Sequence, residues 1–106
     1  MTAIDETRLV VSKIVSYCNP EKIILFGSMA RGTEGPNSDI DLLIIKETGK
    51  KRPFRVKEVF EAVRGLKRQY PLDPIVYTSG EIKERLSIGD YFVTDAMTHG
   101  RVMYEN

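Results

Sequence analysis

Phe26-Gly27-Ser28-Met29-Ala30-Arg31-Gly32, followed by Ser38-Asp39-Ile40-Asp41-Leu42-Leu43-Ile44-Ile45, is the stretch that decides how this chain folds. Lys22 to Phe26 leads into it as a short apolar run, the pattern of a buried strand, and the run ends at Gly27, where the missing side chain lets a ligand approach the backbone. In the second half, successive strand side chains point to opposite faces, so Asp39 and Asp41 share one face while Ile40, Leu42 and Ile44 share the other. Ser28 is placed to cap a short helix, which would offer free N–H groups and a hydroxyl to an anionic phosphate. A carboxylate inside an apolar strand, as at Asp41, is costly to desolvate unless a cation or donor meets it, so a merely polar strand entrance explains it poorly. Mg²⁺ binds through oxygen, usually one or two carboxylates plus substrate phosphates. Asp39 and Asp41 therefore suit it better than zinc, and no His or Cys stands nearby in sequence.

Working outward, Leu9, Val10, Ile14, Val15 and Cys18 recur at helical spacing and predict an amphipathic helix from about residue 5 to 18, closed by Asn19-Pro20. Thr33-Glu34-Gly35-Pro36-Asn37 is a loop between the Ser28 turn and the Asp39 strand. Beyond a turn cluster at Thr48 to Pro53, the spacing of Phe54, Val56, Val59, Phe60, Val63 and Leu66 predicts a helix packed on the sheet. Asp73 to Tyr77 reads as a third strand. Thr78 and Glu81 form a capping box that starts a helix near Ser79. After Gly89-Asp90 a further helix ends at Gly100, and Arg101 to Tyr104 reads as a small edge strand or a tail. The fold class is α/β, a small mixed sheet of about four strands with helices packed mainly on one side.

A chain of 106 residues supports one domain, residues 1–106, with no room for a second substrate-binding domain. Sixteen basic and fifteen acidic residues give a net charge of +1, which argues against a protein that coats nucleic acid. Lys46 to Arg68 holds nine Lys or Arg against three Glu, either a solvated face or a surface that attracts nucleotide or an acidic partner. Cys18 is the only cysteine, so no internal disulfide forms. No signal-peptide pattern or stretch of membrane-spanning length occurs, and a soluble cytoplasmic protein is expected. Self-association stays open.

Gly27, Ser28, Asp39 and Asp41 match residue by residue the signature of the DNA polymerase beta superfamily of nucleotidyltransferases: Gly-Ser, ten residues, then Asp-x-Asp. Ala30-Arg31-Gly32 and Ser38 match its fuller form, and the similarity runs to the Gly100 to Glu105 ending, so the chain resembles a minimal nucleotidyltransferase. The resemblance implies a catalytic core that pairs with a HEPN-domain (higher eukaryotes and prokaryotes nucleotide-binding) protein as antitoxin and toxin, some members moving AMP from ATP onto a partner tyrosine. It also implies a third aspartate. In-line displacement between two metal ions needs more than two carboxylates. Asp73 opens a strand that could lie beside Asp39 and Asp41, although Leu72-Asp73-Pro74 also reads as a turn. Arg31 either steadies the polyphosphate or pairs with Glu34. Glu58 and Glu61 are poorer ligands, His99 closes a helix, and the five tyrosines read as packing or interface residues.

The expectation is a transferase of the protein adenylyltransferase kind: ATP held by Gly27, Ser28 and Arg31, two Mg²⁺ held by the catalytic Asp39, Asp41 and Asp73, and an acceptor hydroxyl on a HEPN partner. The rival is an antitoxin that neutralises its partner by occlusion without catalysis. Transfer to a nucleic-acid end is disfavoured by the near-neutral charge.

Overall fold

In the computed structural model, which describes residues 1–106, the chain runs α1 (Ala3–Cys18), β1 (Lys22–Phe26), α2 (Ser28–Arg31), β2 (Ile40–Ile45), α3 (Arg52–Ala62), β3 (Leu72–Tyr77), α4 (Ser79–Ser87), α5 (Tyr91–His99) and β4 (Arg101–Glu105). Helix α1 begins earlier than its apolar spacing suggests because Thr2 and Asp5 form a capping box, the Thr2 hydroxyl accepting the Asp5 N–H at 3.2 Å and the Asp5 carboxylate accepting the Thr2 N–H at 3.0 Å. Asn19, left-handed at φ 51°, ends it. The four strands form one mixed sheet in the order β3-β2-β1-β4, with β1 antiparallel to both neighbours and β2 parallel to β3. That is the mixed α/β architecture the sequence predicts.

The helices do not collect on one side. Ile23 and Leu25 of β1 and Ile40, Leu42 and Ile44 of β2 pack with Val10 and Ile14 of α1 and Val59 of α3. Ile24, Phe26, Leu43 and Ile45 pack with Ile82 of α4 and Val93 and Ala96 of α5. The two central strands are apolar on both faces, so each face needs a cover, and each fully buried aliphatic side chain contributes about 1.5–3 kcal/mol. Gly100 makes the α5 to β4 turn possible, since a Cβ there would run into the Ala96 carbonyl and the Ile24 side chain. Within α3 the expected inner face is also revised. Phe54 is 58% exposed and Phe60 39%, while Arg55 is buried one turn before Val59. Arg55 occupies that position because all three nitrogens of its guanidinium are engaged: it donates to the Lys50 and Val76 carbonyls at 2.6 and 3.2 Å and to Glu81 at 2.6 and 3.3 Å.

Two long-range ties set where β3 enters the sheet. Glu6, buried in the first turns of α1, accepts the N–H groups of Gln69 and Tyr70 at 2.7 and 2.8 Å. The Ile40 N–H donates to the Pro71 carbonyl at 2.7 Å. Parallel pairing then sets Asp73 opposite Asp41 and Pro74 opposite Leu42. Pro74 is tolerated because β3 is an edge strand with one neighbour only.

Candidate active site

The register places Phe26 of β1 opposite Asp41 of β2, and Asp41 opposite Asp73 of β3, across three adjacent strands. Asp41 and Asp73 therefore point to the α4 and α5 side, the side that also receives Phe26 and Leu43. Asp39 stands just before β2 on the same side. Carboxylate oxygens of Asp39, Asp41 and Asp73 all lie within 4.8 Å of one another, with Asp39 and Asp73 exposed and Asp41 half-buried. Burial first, then the charges of Asp73 and Asp39 and a hydrogen bond with Asp73, push the Asp41 carboxyl up to about 6, and only Arg31 acts in the opposite direction. Three hard oxygen donors on a common face with too little positive charge to balance them are the donor set that a hard divalent cation such as Mg²⁺ prefers.

Gly27 faces this cluster and is constrained twice. Its φ of 76° is left-handed, and a Cβ would overlap the Asp41 carboxylate. Gly27, not Ser28, takes the N-cap position of α2. The reason lies in the backbone: the residue at the cap adopts a conformation open only to glycine, so Ser28 becomes the first helical residue. Its hydroxyl instead donates to the Ser38 hydroxyl at 3.0 Å, and Ser38 Oγ also accepts the Gly35 N–H at 2.9 Å. These bonds tie α2 to the segment entering Asp39. The first N–H groups of α2, a single turn, have no intrahelical partners.

A cavity of about 260 Å³ opens here, lined by Gly27, Asp41 and Asp73, by the apolar Phe26 and Ile75, and by Arg31, Tyr91, Phe92 and Asp95. Arg31 meets Asp95 of α5, with Nη1 to Oδ2 at 3.7 Å, rather than Glu34. Asp95 also lies 3.5 Å from His99 Nδ1 through its other oxygen. Tyr91 and Phe92, 71% and 59% exposed, stand edge to face at 5.7 Å between ring centroids. The sequence gives no local sign of Asp95, which reaches the cavity only because α5 returns along β1. None of the basic residues of the Lys46 to Arg68 run lines this cavity, and five of the nine meet acidic or aromatic partners within the chain. Lys50 bonds Glu58 at 2.7 Å, Lys46 approaches the same carboxylate at 4.0 Å, Arg64 pairs with Glu61, Arg52 stacks on Tyr77, and Arg55 is buried.

A family model described as the nucleotidyltransferase domain matches residues 4–102. Among solved structures, a candidate nucleotidyltransferase from Sulfolobus solfataricus superposes with a TM-score of 0.65 at 24% identity, covering 97% of this chain and 80% of that one. A toxin–antitoxin structure with AMP-PNP gives 0.65 at 18% identity, with coverage of 96% and 74%. A mutant of the toxin–antitoxin pair MntA–HpeT gives 0.64 at 16%, with coverage of 94% and 73%. At these identities the structural likeness speaks for the fold. No curated protein matches the sequence.

Proposed function

The chain belongs to the nucleotidyltransferase domain family, and from that premise we propose that it is a Mg²⁺-dependent protein adenylyltransferase acting as one minimal domain over residues 1–106. It moves AMP from ATP to a hydroxyl, a tyrosine on a cytoplasmic HEPN-type toxin, and so serves as that toxin's antitoxin. The observation that carries this reading is the clustering of Asp39, Asp41 and Asp73, with Asp41 against Gly27 and its carboxyl pushed up to about 6 by burial and by its two acidic neighbours. The AMP-PNP in one similar toxin–antitoxin structure is in keeping with it.

Magnesium bound by the three aspartates would neutralise the α-phosphate and the departing pyrophosphate. Gly27 lets the Asp41 carboxylate close on the backbone at the mouth of α2, and the N–H groups of that first turn would supply donors to a phosphate. Arg31, the one cation lining the cavity, meets the triphosphate. Asp73, on the outermost strand, faces the incoming hydroxyl. The acceptor O–P bond forms as the bond to pyrophosphate breaks, pyrophosphate leaves with the electron pair, and the hydroxyl proton passes to solvent. A protein acceptor is favoured by the exposed Tyr91 and Phe92 that line the cavity, an aromatic rim that suits a protein better than a polyanion.

The test is intact mass spectrometry of a purified HEPN-type partner incubated with this protein, ATP and Mg²⁺. A gain of one nucleoside monophosphate on a tyrosine, absent with Asp39→Ala/Asp41→Ala, is expected. Neutralisation by the double variant of an unmodified partner would instead establish occlusion.

A further inference from the structure

Within the nucleotidyl-transfer reading, on which this inference rests, we infer that Asp95 is a positioning residue that holds Arg31 in place to receive the triphosphate. Arg31 is the last residue of α2, a helix of four residues bounded by Gly27 and Gly32, both at left-handed φ. Met29 of this turn is buried in the core, whereas the Arg31 side chain is 52% exposed and has Asp95 as its one charged partner. Asp95 sits on firmer ground. Its neighbours Val93 and Ala96 are 1% and 2% exposed and anchor α5 on the sheet, and the Asp95 side chain is itself only 16% exposed.

One oxygen of Asp95 lies 3.7 Å from Arg31 Nη1 and the other 3.5 Å from His99 Nδ1, so the carboxylate faces both side chains. Arg31 and Asp95 line the same cavity as Gly27, Asp41 and Asp73. Arg31 is the sole cation among those lining residues, so where its guanidinium rests decides whether the cavity can accept a polyanion in a defined pose. Tethering a flexible arginine in advance removes part of the entropy cost of binding; the same contact, being half-exposed, adds little to the stability of the fold.

The experiment is a double-mutant cycle on the full chain, read by calorimetric titration of MgATP and by the Arg31 Nε–Hε signal in the nucleotide-free protein. Asp95→Asn and Arg31→Ala should each weaken MgATP binding about fivefold, the pair should be no worse than Arg31→Ala alone, and Asp95→Glu should recover part of the loss. The Arg31 Nε–Hε signal should sharpen and move toward its free-side-chain position in Asp95→Asn. In turnover, Asp95→Asn should raise the KM for ATP and leave kcat within a factor of about two. Additive losses, tighter MgATP binding in Asp95→Asn, or a kcat defect at saturating ATP overturn the inference. Equal binding by wild type and Asp95→Asn overturns it alone, whereas a wild type that binds no MgATP overturns the transfer reading with it.

Discussion

The two ends of β3 carry acidic groups in opposite circumstances. At its start, Asp73 joins Asp39 and Asp41 in a cluster where burial and like charge push Asp41 up to about 6. Just beyond its end, Glu81 accepts from Arg55 and from the Thr78 N–H, and these bonds, the Arg55 bond first, draw its carboxyl down to about 2. Burial raises both carboxyls, but at Asp41 it leads and like charge adds to it, whereas at Glu81 a hydrogen-bonded counter-ion outweighs it. At Glu81 the chain supplies one and gains a structural joint between α3, β3 and α4. At Asp41 the chain withholds one, a cost that makes sense if the missing charge arrives with a ligand.

The largest expected effect breaks the acidic end of this comparison. Asp41→Asn should lower nucleotidyl transfer by about 10³-fold or more while the melting temperature stays level or rises, because repulsion within the cluster is relieved. Initial rates and thermal denaturation measured on the same samples check it. A variant that melts earlier yet turns over normally per folded molecule would make Asp41 a structural residue.

At the other end the pattern should invert. Arg55→Leu should cost about 3 kcal/mol in urea denaturation, since it strips Glu81 of its partner and leaves the Val76 carbonyl without its donor, while turnover of the folded fraction stays within a factor of about two. Asp73→Asn comes next, with transfer down at least about 10²-fold and stability unchanged. A collapse of stability there would return Leu72-Asp73-Pro74 to a simple turn.

The smallest effect is in pH. The folded pKa of Glu81 is lowered to about 2 from the ordinary 4.5. The unfolded chain therefore binds its proton first, and the stabilisation is complete above about 4.5 and lost as pH falls toward 2. After allowance for solvent screening this amounts to about 1–2 kcal/mol. The gap between wild type and Glu81→Gln in urea denaturation should shrink by about half between pH 7 and pH 3. A constant gap across that range would assign the stabilisation to packing instead of charge.

How far sequence reading reaches varies by residue. The strands, the Thr78 and Glu81 capping box and the alternation that sets Asp39 and Asp41 on one face were legible because each is written within a few neighbouring residues. Ser28 has the chemistry of a cap, yet Gly27 takes that position, because only the contact between Gly27 and Asp41 shows which residue must turn left-handed. Phe54 and Phe60 recur at helical spacing but point outward, because periodicity records only where apolar residues recur and Arg55, bonded to Glu81, fills the inner position.

By itself the sequence determined the local grammar of this protein: a strand ending in glycine, a one-turn helix, two carboxylates in alternation, and apolar runs long enough to demand a sheet. Those follow from backbone sterics and side-chain period, which act over a few residues. Only the tertiary structure decided that both faces of the sheet are covered, that Glu6 clamps the approach to β3, that Asp73 lies opposite Asp41, and that Asp95 of α5 meets Arg31 across the cavity. Such pairings join residues remote in sequence, and burial, register and charge balance select them only after the chain has packed.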